Sequence, residues 1–137
     1  MPPQKPTTES QPLPPIEYRR AEDFRQDYAN NGFLESNPWD LTIRFGQLDL
    51  SIGPSVVIQH MGVTLPWPQV KVMLYLLQTH LMAYEFDHGR CPVPKGVIPK
   101  PISADSEAMK NNPRATEISA AFRKHYDDFM AANPEAK

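Results

Sequence analysis

The sequence predicts an α+β fold, in which a small antiparallel β-meander is packed by one long apolar helix and a C-terminal amphipathic helix follows a proline-rich arm. Three segments predict it: an alternating run at Trp39 to Phe45, a β-branched run at Val56 to Leu65, and a leucine-rich run at Trp67 to Phe86. With 137 residues, the chain has room for one such domain with tails, and not for two independent cores.

Proline content divides the chain into three parts. Residues 1–16 hold six prolines among polar residues, a composition that buries too little apolar surface to offset chain entropy. We therefore predict a mostly disordered tail over residues 1–27, an α+β core domain over 28–94, and the arm with its helix over 95–137.

Three strands are expected in the core domain. Phe33 to Ser36 forms a short first strand that ends before Asn37-Pro38. The next strand is the clearest, because its apolar residues up to Phe45 occupy every second position, as on a half-buried antiparallel strand. Leu48 to Pro54 is the connection to the third strand, which stops at Pro66.

The segment from Trp67 to Phe86 is apolar around almost its whole circumference. At about 100° per residue, one stripe runs through Val70, Leu74, Leu77, Leu81 and Tyr84. The opposite side carries the residues that we take as interface candidates, which are Val72, Leu76, His80, Ala83 and Phe86. Because a helix in a thin domain normally buries one face, the second face predicts a homo-oligomer, with a dimer favoured.

Glycine and proline predict how the C-terminal part is organised. Gly89 suits the left-handed residue that follows a helix end. Cys91 to Pro101 holds four more prolines and predicts an extended arm. A final helix begins near Asn112 as cap and Pro113 at the first position, and its single apolar stripe ends at Met130.

Composition excludes several classes of function. Fourteen basic and sixteen acidic residues leave a net charge of −2 without a basic block, which argues against a nucleic-acid surface and a membrane patch. One cysteine makes no internal disulfide, and the first residues lack the apolar core of a signal peptide. We expect a cytoplasmic protein without a cofactor.

Catalytic and metal sites are weakly indicated. His88 and Cys91 have a His-x-x-Cys spacing, but zinc needs three or four ligands and a second pair is missing from the sequence. Cys91 as a nucleophile lacks a recognisable activating group. The sequence therefore predicts a protein that is not an enzyme.

Other polar and aromatic residues have two interpretations each. Lys71, Gln78 and Glu85, spaced by sevens, form a narrow polar seam along this helix. Lys71 and Glu85 either bind a partner or an anionic ligand, or are simply solvated; solvation is the simpler role. Tyr84 with Glu85 suits a hydrogen-bonded lock between the helix end and the sheet, a packing role rather than a catalytic one. Trp39 and Trp67 are further interface candidates, because they either line a groove for a client peptide or close the two ends of the core.

The order of these signals resembles the bacterial family known as domain of unknown function 3467, over residues 28–94. The resemblance depends on Tyr-Ala-Asn at the domain start, an acidic strand ending in Phe-Gly, a lysine after the helix start, and Tyr-Glu before the final glycine. The matching residues are Tyr28, Asn30, Asp40, Phe45, Lys71, Tyr84, Glu85 and Gly89.

The resemblance implies no activity, because the family has no established one, so two functional hypotheses stay open. The first is a non-enzymatic oligomeric module for assembly, or an adaptor, whose tails reach protein partners. The second is a binder of apolar client segments, because the layout is also similar to that of SecB-type export chaperones. A likeness of fold alone is weak evidence of function.

Overall fold

The computed structural model describes residues 13–49, 51 and 56–137. The predicted disorder of residues 1–12 and part of the predicted connection up to Pro54 lie outside these residues. The chain divides into two compact units, Met1–Trp67 and Pro68–Lys137, which are described separately. The predicted packing of the long helix on the sheet stays a prediction, as do the predicted domain bounds.

The described residues form three strands and two α-helices, so the predicted α+β class is confirmed. In chain order the elements are β1 (Asn31–Ser36), β2 (Asp40–Asp49), β3 (Val56–Pro66), α1 (Trp67–His88) and α2 (Ala115–Ala132). Two single-turn 3₁₀ helices flank α2, at Glu107–Met109 and Pro134–Ala136.

The sheet is an antiparallel meander in the order β1-β2-β3. Asn37 closes the first turn, since its side-chain oxygen accepts hydrogen bonds from the backbone N–H groups of Trp39 and Asp40 at 2.8 and 2.9 Å. The carbonyl of the same residue accepts a bond from the Trp67 indole at 3.0 Å. This hydrogen bond joins the turn between β1 and β2 to Trp67, the last residue of the first unit.

One β-bulge interrupts the pairing of β2 with β3. Phe45 lies opposite Met61, but Gly46 lies opposite Gln59, so His60 is the extra residue. At the bulge the two backbones come so close that a Cβ on Gly46 would lie 2.5 Å from the carbonyl oxygen of Ile58. Only glycine fits there without a shift of the backbone.

One face of the sheet is apolar. The alternation of side chains along each strand puts Leu41, Ile43 and Phe45 of β2 on the same side as their β3 partners, Leu65, Val63 and Met61. Leu41 is buried, whereas Val63 and Met61 are exposed. This face is therefore incompletely covered by the described residues of the chain.

Helix α1 is two residues longer than predicted. Pro68 lies in its first turn, and Gly89 follows its end with φ of +83°, as the sequence predicted. The two additional residues include His88, whose ring stacks on Tyr84 at 4.7 Å between centroids. Beyond Gly89, the arm runs to Pro101 without helix or strand.

The start of α2 differs from the prediction. The side-chain oxygen of Asn112 accepts a hydrogen bond from the N–H of Arg114 at 2.9 Å, which forms a turn before the helix. Regular helix therefore begins at Ala115, two residues beyond Pro113. The buried residues of this second unit are Met109, Met130 and Ala136.

Candidate interaction surface

The candidate site is the surface of α1, because all five residues predicted for its interface face are exposed. Val72, Leu76 and Phe86 have exposed fractions of 48%, 41% and 91%. His80 and Ala83 lie between them and are exposed as well. The structure thus displays this side of the helix as one uncovered apolar strip.

The opposite stripe of α1 is also exposed. Leu74, Leu77 and Leu81 stay open to solvent, and within the part of the chain that the structure describes no residue of α1 is buried. The end of α2 comes near this helix around Leu81 and Glu85, where the two line a shared cavity. Leu81 nevertheless retains an exposed fraction of 48%.

The polar residues of α1 have different environments. Lys71 is exposed, whereas Glu85 is half-buried. A carboxylate oxygen of Glu85 accepts a hydrogen bond from the backbone N–H of Cys91 at 2.9 Å. Glu85 thus fastens the first residues of the arm to the end of α1, whereas the sequence predicted a hydrogen bond from this residue to the sheet.

His88 and Cys91 have separate surroundings. One ring nitrogen of His88 lies 3.1 Å from the carbonyl oxygen of Tyr84, and the Cys91 side chain is exposed. Among residues 13–49, 51 and 56–137, no three His, Cys, Asp or Glu side chains are grouped so as to hold a metal ion.

The two tryptophans differ in their contacts. Trp39 is 82% exposed after the Asn37 turn. Trp67 is 40% exposed and donates its indole hydrogen bond to the carbonyl of Asn37. Both therefore lie at the end of the sheet where β1 turns into β2, and Trp39 offers most of its ring for contact.

The landmark residues at the domain start support the sheet. Asn30 donates its backbone N–H to the carbonyl of Gly46 at 3.1 Å, and its side-chain oxygen accepts from the N–H of Leu48 at 2.8 Å. Asn30 thereby extends the β1–β2 pairing by one step. Tyr28, two residues earlier, is exposed.

Sequence reasoning missed an ionic clamp that fixes the arm. The guanidinium of Arg90 lies 3.0 Å from the Glu135 carboxylate and also donates to the carbonyl of Ala132. The N–H of Val93 donates to Glu135 at 3.2 Å. Backbone N–H groups, first that of Glu135 itself and then that of Val93, lower the pKa of Glu135, and Arg90 adds to this effect. No periodic signal connects two residues so far apart in the chain.

An apolar groove lies between the arm and α2. Its cavity has a volume of about 510 Å³. The arm contributes Ile98 to Ile102, and α2 contributes its aromatic residues Phe122, Tyr126 and Phe129 together with His125. The Ser119 hydroxyl donates to the carbonyl of Ile102 at 3.0 Å, which holds one end of the arm on the helix.

A family model described as Protein of unknown function (DUF3467) matches residues 2–119. The chain belongs to the DUF3467 family. The predicted resemblance is confirmed, and the match is wider than the landmarks, because it also includes the arm and the first turn of α2. No curated protein and no solved structure matches this DUF3467 chain. None of the described helices is long and apolar enough to span a membrane.

Proposed function

We propose that this DUF3467 protein is a non-enzymatic, homo-oligomeric module for assembly, in which α1 packs against another copy of the chain. The observation that carries the proposal is that no residue of α1 is buried by the described part of the chain, although more than half of the residues of α1 are apolar. Contiguous apolar surface of this kind marks interaction sites on proteins.

The size of the side chains supports an interface of useful strength. Removing a large aliphatic or aromatic side chain from water contributes about 1.5–3 kcal/mol when it starts fully exposed. The half-exposed leucines of α1 would each contribute less, but Phe86 retains nearly its whole surface for burial. Several such residues together offset the entropy lost on association.

A second copy is a suitable partner because the strip from Val72 to Phe86 is nearly uncharged. Two such strips related by a two-fold axis bring together apolar surfaces without opposing like charges. The incompletely covered apolar face of the sheet, with Met61 and Val63 exposed, gives the same chain additional surface to bury. We further propose a cytoplasmic setting, where the unpaired Cys91 would stay reduced.

The oligomer is tested by size-exclusion chromatography with light scattering on the full chain at micromolar concentration. We expect twice the mass of one chain. Leu76→Asp should give the single-chain mass, because a buried, unpaired carboxylate is costly. Gln78→Asp, two residues along on the polar seam, is the control and should stay dimeric.

Circular dichroism should give the same helix content for both variants, since both positions are exposed in the single chain. A wild-type chain that elutes with the mass of one copy would contradict the proposal.

A chaperone-type role is the second candidate, favoured by the apolar groove beside α2 and by the exposed Trp39. It predicts that the protein suppresses aggregation of an unfolded client. Trp39→Ala or Phe122→Ala should weaken this suppression without changing the mass of the oligomer. If both variants suppress client aggregation as well as the wild type does, clients do not bind at Trp39 or in the groove beside α2.

A further inference from the structure

The outer edge of β3 is the most unusual feature of the sheet. Among the described residues, β3 pairs with β2 on one side only. It is the longest strand, with 11 residues from Val56 to Pro66. The backbone N–H and C=O groups along its other side therefore have no partner among the described residues, and they form a long row of hydrogen-bonding positions.

Natural edge strands are usually protected against pairing by short length, charged residues or proline. β3 contains no Asp, Glu, Lys or Arg, and its one proline is the last residue. Within the 11 described residues of the strand, the only protective feature is the bulge at His60, which still leaves Met61 to Leu65 in regular pairing with β2.

The opposite edge of the sheet is protected. β1 has six residues and carries Glu35, whose carboxylate lies 2.7 Å from the Arg44 guanidinium. A charged, short strand is a poor template for a second strand. The two edges of one sheet therefore differ in the property that controls association.

We propose that β3 pairs antiparallel with β3 of a second copy, which gives a continuous six-stranded sheet. The strand order is then β1-β2-β3-β3-β2-β1. This inference rests on the proposed function and specifies which edge the two copies share.

A second copy fits the edge for two physical reasons. An antiparallel strand is complementary to itself about a two-fold axis, so every free donor meets an acceptor. Because β3 has no charged side chain, the two copies also bring no like charges opposite each other.

The area required for a stable dimer supports a combined interface. Stable interfaces bury about 1,200–2,000 Å², more than the edges of one strand pair provide. Pairing also joins the two exposed apolar faces around Met61 and Val63 into one surface. Edge pairing thus sets the alignment of the copies, and apolar burial supplies most of the free energy of association.

Spin-label distances in the full-length oligomer test the inference. Cys91→Ser removes the native thiol, and Thr64→Cys or Glu35→Cys introduces one label per chain. These two positions are a matched pair, because Glu35 and Thr64 both lie opposite Thr42, on one line across the sheet.

The expected result is a shorter distance between the two Thr64 labels than between the two Glu35 labels. Neighbouring strands are about 4.8 Å apart, so the first pair is separated across the sheet by one strand spacing and the second pair by five. A Glu35 distance that is equal or shorter, in a chain that still forms dimers, would overturn the β3 pairing and leave the oligomer itself intact.

A charged side chain introduced on β3 tests the inference independently, through the dissociation constant of the dimer. Thr64→Lys should raise the dissociation constant of the dimer severalfold, because it brings two lysines close to the shared strands. Asn31→Lys, on the exposed β1, is the control and should leave the constant unchanged. Equal dissociation constants for both variants would contradict the proposal, whereas a single-chain mass for the wild type would contradict the proposed function instead.

Discussion

At the scale of single residues, glycines have the most specific roles. Gly89 takes a positive φ at the end of α1, which the sequence predicted from its position. Gly46 has a different role, because it allows the backbone of β3 to approach at the bulge. The sequence marked Gly46 only as part of a Phe-Gly ending, since the close approach depends on the partner strand.

Gly46→Ala should lower the free energy of unfolding by about 1–3 kcal/mol, the usual cost of overpacking. The added Cβ would meet the carbonyl oxygen of Ile58, a backbone atom that moves only with its strand. Urea unfolding followed by circular dichroism measures the change. Gly32→Ala is the matched control in β1, where a Cβ meets nothing within 4 Å. Equal stability of the two variants would contradict this prediction, because it would show that the backbone at the bulge moves at little energetic cost.

At the scale of elements, local patterns predicted the existence and order of the strands and α1, but not every bound. β1 begins two residues before Phe33, and β2 continues to Asp49, into the predicted connection. β3 and α1 begin where expected, because β-branched residues, paired prolines and a leucine-rich run are local signals. The attachment of the arm to α2 was not predictable. Arg90 and Glu135 meet only when the chain returns to the end of α1 after α2.

Arg90→Ala should loosen the arm. The variant loses the ion pair with Glu135 and the hydrogen bond to the Ala132 carbonyl. Amide hydrogen exchange should become faster at Val93 and at Gly96, whose N–H donates to the carbonyl of Ala136 at 3.2 Å. Exchange within α2 should change little. Lys110→Ala is the control, because its partner Glu107 is highly exposed. Unchanged protection at Val93 in Arg90→Ala would contradict a clamp.

The same contact should depend on pH. The pKa of Glu135 is lowered below its ordinary value of 4.5 by the N–H donors around it. A carboxylate with a lowered pKa stabilises the fold above that ordinary value and loses the effect as the pH falls through the folded pKa. Corrected for intrinsic exchange, protection at Val93 should therefore decrease below pH 4.5.

At the scale of the whole molecule, apolar surface exceeds what the described chain covers. Both stripes of α1 and one face of the sheet contain large apolar side chains that stay exposed. The proposed oligomer would account for these surfaces together, through α1 and through the unprotected edge of β3. The test is whether stability depends on protein concentration.

The thermal midpoint of the full chain should rise with concentration, by about 2–4 °C for each tenfold increase, because association stabilises only the folded state. Scanning calorimetry over two decades of concentration measures this. Leu76→Asp should have a midpoint that no longer depends on concentration. A wild-type midpoint that stays constant would remove the argument for self-association.

The sequence by itself determined the α+β class, the order of the strands and helices, and the family. These features follow from signals within a few residues, such as periodicity, proline and glycine. Only the tertiary structure decided the bulge at His60, the clamp from Arg90 to Glu135, the groove beside α2 and the contrast between the two sheet edges. Each of these depends on which distant segments meet, and neither hydrophobic periodicity nor local turn chemistry encodes such a meeting.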